Sequence, residues 1–117
     1  MIYPITPIPK PRQTRRDAWK KRPCVVRYRA FADECRVLKV IVKKKGSHVI
    51  FHMPMPECWS LAKKNKLAGK PHEQKPDIDN LGKALLDAVL KEDCVVSDIR
   101  LSKRWAKYGA IEIINNE

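Results

Sequence analysis

No run of about 18 apolar residues occurs anywhere in the chain, which excludes a membrane-spanning helix and makes a membrane partner unexpected. There is no C-x-x-C pair. Cys24, Cys35, Cys58 and Cys94 are widely spaced, and His48, His52 and His72 have no ligand spacing with them, which argues against structural zinc. The opening stretch MIYPITPIPKPRQ has no basic region ahead of an apolar one and does not read as a signal peptide. The expectation is therefore a cytoplasmic protein with reduced thiols. Internal repeats and low-complexity segments are missing. Acidic residues are scarce, 13 against 25 Lys and Arg, for a net charge of +12.

That charge is unevenly placed. Residues 1–76 carry 19 basic and 5 acidic side chains, a net of +14, whereas residues 77–117 carry 6 and 8, a net of −2. A basic field of this size attracts a polyanion. No long amphipathic basic helix with a broad apolar face is present, so nucleic acid is favoured over a membrane surface. The densest basic segment is KPRQTRRDAWKKRP, residues 10–23, whose Lys10, Arg12, Arg15, Arg16, Lys20, Lys21 and Arg22 suit phosphate contacts. Trp19 within it either stacks on a base or anchors the loop to the core.

The 117 residues are the size of one domain with one modest core. Residues 2–9 are Pro-interrupted and read as an edge strand or arm. Between residues 25 and 43, Tyr28, Phe31, Ala32, Cys35, Leu38 and Val42 fall at helical spacing, with Lys43 to Lys45 and Gly46 closing the helix. SHVIFHM, residues 47–53, reads as a strand. Residues 58–69 suit a short helix inside a basic inserted flap, residues 57–76, whose lysines are either DNA contacts or a solvated loop. Residues 80–91 form the clearest helix, with Leu81, Ala84, Leu85, Ala88 and Val89 on one face, Asn80, Lys83 and Asp87 on the other, and Asp79 as N-cap. Residues 95–105 and 110–114 read as strands joined by a Lys-Tyr-Gly turn. The expected fold is a single α+β domain over 1–117, a mixed sheet of about four strands packed with two main helices.

Carboxylates gather where the basic half ends. KPDIDNLGKALLDAV places Asp77 and Asp79 two residues apart at the mouth of the clearest helix. Capping and the helix dipole explain such a pair adequately. A calcium loop starting at Asp77 fails, because its fifth and twelfth positions would be Leu81 and Ala88. A third acid, Asp98, lies in VVSDIRL, a strand expected beside the helix. Three converging aspartates repel one another unless a hard divalent cation, Mg2+ or Mn2+, neutralises them. In a DNA-binding protein such a cation activates water and stabilises charge on a phosphodiester under hydrolysis. Lys83, one turn from Asn80, is placed to hold the phosphate or the leaving oxygen.

The pattern KPDIDNLGKALLDAVL…SDIRL resembles the signature of the RusA family of Holliday junction resolvases, carried here by Asp77, Asp79, Asn80, Lys83, Asp87 and Asp98. The early ITPIPKPRQTRRDAWKKRP resembles the Pro-rich strand and basic loop of its phage-encoded members. Ser97 departs from the pattern, since many relatives have an acidic residue there, so Asp93 stands as the alternative to Asp98. The resemblance implies an α+β homodimer in a bacterial or phage-infected cell. Such a dimer binds four-way DNA junctions and nicks opposing strands with Mg2+. It further implies that Asp77, Asp79 and Asp98 bind the metal and that Lys83 is an active-site lysine. Asn80 would support them, and Asp87, a turn from Lys83, would position that lysine. The competing reading is a non-catalytic, structure-selective nucleic-acid-binding protein whose aspartates only cap a helix. Capping needs neither Lys83 nor Asp98.

Overall fold

The computed structural model describes residues 1–10, 23–43, 45–90 and 93–115, without the side chains of Cys24 and Asp93. The basic loop with Arg12, Arg15, Arg16, Trp19, Lys20, Lys21 and Arg22 lies outside the described residues. Its elements run β1 (Ile2–Tyr3), α1 (Pro23–Val37), β2 (Lys45–Pro54), α2 (Leu61–Leu67), α3 (Ile78–Val89), β3 (Asp98–Ala106) and β4 (Ala110–Asn115). A short 3-10 turn, Asp93–Val95, stands between α3 and β3.

The four strands form one mixed sheet in the order β1-β4-β2-β3. β2 pairs with β3 in parallel and with β4 antiparallel, and β1 pairs with β4 antiparallel. Side chains alternate along a strand, so each strand divides its residues between two faces. Val49, Phe51 and Met53 of β2 and Ile111 and Ile113 of β4 face the core, where α1 adds Phe31, Ala32 and Cys35 and α3 adds Leu81, Ala84, Leu85 and Ala88. Ile99 and Leu101 of β3 pack against the same cluster. Both long helices thus cover one face, which makes the fold the expected α+β arrangement. The other face carries His48, His52, Ser102 and Glu112. There His48 Nε2 meets Ser102 Oγ at 2.9 Å and His52 Nε2 meets Glu112 Oε1 at 3.0 Å. No helix among the described residues is long and apolar enough to cross a membrane.

Two local expectations are corrected. α1 ends at Val37 and does not run to the KKKGS stretch. Lys39 adopts a left-handed φ of 54°, and Val40 N–H donates back to Cys35 O at 3.0 Å, which closes the helix six residues early. The β-branched run Val40-Ile41-Val42 then follows outside the helix, with Val40 and Val42 buried and Ile41 exposed. Gly46, expected as the helix stop, has φ 79° at the register shift between Lys45 and Ser47 where β2 begins. The second correction concerns α3, which starts at Ile78. Asp77 is its N-cap residue, and Asp79 belongs to its first turn.

Candidate nuclease site

α3 forms because five small or apolar residues, Leu81, Gly82, Ala84, Leu85 and Ala88, recur on one face and are all buried. It lies close against β3: a Cβ built on Gly82 would come within 2.6 Å of Leu101 Cδ1. The buried stripe fixes the rotation of the helix, and this turns Asp79 and Lys83 outward into solvent, with Asn80 half-buried beside them.

The acid pair has an unusual bonding state. Asp77 sits at the N-cap with extended backbone, φ −70° and ψ 147°, yet its carboxylate makes no capping hydrogen bond. The Asp79 Oδ1 accepts a bond from the adjacent Asn80 N–H at 2.9 Å. Both side chains are exposed. An N-cap aspartate normally bonds the N–H groups of the first turn, so the carboxylate of Asp77 is held at a positive helix end without being spent on it. Two such carboxylates suit Mg2+, which typically takes one or two protein carboxylates and completes its shell with water and phosphate oxygens.

The loop leading into the pair is tied to β3 at several points. Trp105 N–H donates to Lys70 O at 2.9 Å, Gly69 N–H donates to Trp105 O at 2.8 Å, and His72 N–H donates to Lys103 O at 3.1 Å. The segment hangs on the free edge of β3 as a partial extra strand, with a bridge between Pro71 and Arg104. From β3 the Lys103 ammonium then reaches two carbonyls just before the acid pair, donating to Gln74 O at 2.7 Å and Pro76 O at 2.8 Å. The sequence signal for Lys103 was weak, one of three basic residues in β3, and only the tertiary structure shows what it reaches.

A ring stack anchors this end of the molecule. The Trp105 ring centroid lies 4.8 Å from that of Trp59 and 4.2 Å from that of His72. His72 is buried, and its Nδ1 has no hydrogen-bond partner. Burial, with the Lys103 ammonium adding to it, lowers the His72 pKa below its usual value. The native state therefore favours the neutral ring, while the unfolded ring takes up a proton near its ordinary pKa of about 6.5. His72 thus contributes stability above that pH that is lost as pH falls below it. The pKa of His48 is lowered too, chiefly by burial, and acts with the same sign. The melting temperature is expected to drop between about pH 7.5 and pH 5.5, and to drop less in His72→Phe. Equal slopes for the two proteins in a calorimetric pH series would remove His72 from this role.

The structure separates what the sequence reading had converge. α3 runs antiparallel to β3, with its start beside Lys103 and its middle beside Leu101. Asp98 is the first residue of β3, five positions from Lys103, or about 16 Å along the strand. Its parity matches Arg100 and Ser102, and it lines a shallow cleft with Gly46, Ser47, His48 and Arg100 on the face away from the helices. Asp77 and Asp79 stand at the start of α3 with Asn80 and Lys83 in the turns that follow, whereas Asp98 stands at the far end of β3 on the other face of the sheet. Among the described residues of one chain, no three His, Cys, Asp or Glu side chains form a metal-binding group. Asp87 faces Lys10, whose Nζ donates to its Oδ2, so the partner expected for Lys83 is held by the N-terminal arm instead. Lys-before-Asp is the weaker i,i+4 order on a helix, which leaves Asp87 available to that arm.

No curated protein matches the chain. The sequence model of one family, described as endodeoxyribonuclease RusA, matches residues 4–114, which takes in the core strands, both long helices, the acid pair and the edge loop alike. With its basic half and its exposed carboxylates accounted for by one family over nearly its whole length, the chain belongs to the RusA family of endodeoxyribonucleases.

Proposed function

We propose that this endodeoxyribonuclease acts on four-way DNA junctions as a homodimer, cutting strands related by symmetry with the help of a divalent cation, Mg2+ or Mn2+. The observation that carries the reading is the acid pair: two exposed carboxylates at one helix mouth, the N-cap one making no cap. Asp77 and Asp79 would hold the cation, which when bound supplies an activated water and neutralises charge on the phosphodiester. Lys83, four residues after Asp79 on the same outward side, sets an ammonium near the leaving oxygen, and the Asn80 amide donates to a phosphate oxygen. The expected setting is the cytoplasm of a bacterial or phage-infected cell. Cys35, Cys58 and Cys94 form no disulfide, and burial pushes the Cys35 thiol up to about 11, which makes it an inert core residue.

The third carboxylate is where the dimer enters. α3 has 12 residues and is about 18 Å long, so the acids that follow it lie at the end opposite to Asp77. A two-fold axis crossing α3, with the second copy's helix antiparallel, sets each copy's far-end acid beside the other copy's acid pair and completes two sites at once. Asp98 belongs to the open face of the sheet, so the acid we assign to this role is Asp93, on the 3-10 turn that begins four residues after the end of α3.

Lys103 has a supporting part, because it fixes the carbonyls that set the direction of the acid pair. Lys103→Met is expected to lower cleavage about 10- to 100-fold, the usual cost of losing a group that orients metal ligands. Raised Mg2+ should recover part of the loss, and Lys103→Arg should retain more activity. Wild-type cleavage by Lys103→Met across a Mg2+ titration would show the clamp to be idle.

The function is tested with a synthetic four-way junction and a linear duplex of matched sequence, each with and without Mg2+. Paired nicks on opposing strands of the junction in Mg2+, with the duplex spared, are the expected result. Equal cutting of both substrates, or cutting that chelator does not stop, would overturn the reading.

A further inference from the structure

The flap between Pro56 and Pro76 contributes almost nothing to the core, yet it is firmly mounted. α2 within it buries none of its residues. Ser60 nevertheless caps it, its Oγ accepting from Lys63 N–H at 3.2 Å. Trp59, directly before the cap, stacks on Trp105, and the Lys63 ammonium lies 4.1 Å over the Trp59 ring. Gly69, with φ 80°, turns the chain back so that residues 69–72 bond the edge of β3. An exposed helix of seven residues is marginal by itself. Here it is fixed at both ends to the strand that carries Lys103, and Lys103 touches the loop of the acid pair.

What the flap presents is positive charge. It holds Lys63, Lys64, Lys66, Lys70 and Lys75 against Glu57 and Glu73. Among the described residues, no carboxylate forms an ion pair with Lys64, Lys66 or Lys70. Lys66 on α2 and Lys70, three residues past its end, are both exposed, in the stretch that leads to Asp77 and Asp79. Lysines that only solvated a loop would need no such mounting.

We infer that the flap is a DNA-backbone grip, in which Lys64 and Lys66 of α2 and Lys70 just after it bind the phosphates flanking the one that Asp77 and Asp79 address. The contact is to phosphate, not to bases, because the side chains offered are ammonium groups and the flap's tryptophan is occupied in the ring stack. This inference rests on the nuclease reading above. It adds a surface that neither the acid pair nor the basic loop provides, and it places one stretch of backbone on the same side of the chain as the cut.

The test is junction binding measured by fluorescence anisotropy over a salt series, without divalent metal so that no cleavage intervenes. Each neutralised phosphate contributes roughly 0.9 to the slope of log affinity against log salt, so K64Q/K66Q/K70Q is expected to flatten it by roughly 2 to 3 and to weaken binding at least about tenfold at low salt. Because α2 buries nothing, the melting temperature should stay at the wild-type value. The charge-keeping K64R/K66R/K70R should restore both slope and affinity. A charge-matched triple on α1, R27Q/R29Q/R36Q, should change the slope less than the flap triple. A wild-type slope in the glutamine triple, or equal flattening by the α1 triple, overturns the grip and leaves the nuclease reading standing. A wild-type protein that binds no DNA overturns both.

Discussion

Asp77→Asn is expected to lose cleavage by roughly a thousandfold, about 4 kcal/mol at the transition state, while keeping junction binding. The two effects separate because they come from different groups. Binding comes from Lys and Arg contacts to phosphate, which the substitution leaves alone. Chemistry comes from the cation, and an amide oxygen in place of a carboxylate removes the charge that holds it. The fold should survive, since the Asp77 side chain makes no capping bond for the helix to lose. Binding should tighten somewhat, because one negative charge near the DNA is gone. Asp79→Asn should behave in the same way, with its exposed carboxylate two residues further on. Junction cleavage in Mg2+ by Asp77→Asn at the wild-type rate would remove Asp77 from the metal site and take the proposed chemistry with it.

Complementation between two inactive proteins carries the second large effect. If each site draws its acid pair from one copy and Asp93 from the other, D77N/D79N and D93N homodimers are both dead. A mixed dimer of the two then contains one fully wild-type site and one doubly damaged one. Mixing the inactive proteins, with exchange of subunits, should therefore restore single nicks to a substantial fraction of the wild-type rate, while paired cuts stay rare. Wild-type chains mixed with Asp79→Asn should likewise give one nick per junction. Asp98→Asn, on the open face of the sheet, should cut normally. A site completed within one chain predicts the reverse, with no activity from the mixture. A monomer by light scattering at working concentration, together with full resolution of junctions, would also rule the shared site out.

Part of this site could be read one residue at a time. The α3 stripe of Leu81, Ala84, Leu85 and Ala88 is a property of local spacing, and it indicated that Asn80, Lys83 and Asp87 would occupy the other side of the helix. β2 was legible from its β-branched and aromatic residues and β4 from a short apolar run, but neither run states which face meets the helices, since Val49, Ile50 and Phe51 are all apolar and all buried. The polyanion partner followed from the charge of residues 1–76. The acid pair alone is explained by capping, and the nuclease reading came from the longer D-x-D-N…K…D pattern and its resemblance to the RusA signature.

The rest depended on which distant residues meet. Asp98 was read as an acid beside the helix, and the sequence was right that β3 lies there. A strand shows opposite sides at alternate residues, however, and only the register against β2, with its shift at Gly46, decided that Ile99 and Leu101 face the core and Asp98 does not. The antiparallel run of α3 along β3 then set the acids at opposite ends. The end of α1 was misread because lysines and a glycine satisfy a helix terminus equally well wherever they stand, while the stop came from a left-handed Lys39 and the burial of Val40 and Val42. The pairing of Lys10 with Asp87 spans 77 positions, and the reach of Lys103 to the Pro76 carbonyl spans 27. Local pattern indicated most of the elements and the outward face of α3. Tertiary structure decided what supports the loop of the acid pair and how far Asp98 stands from it, because contacts between residues far apart in sequence exist only once the strands have found their register.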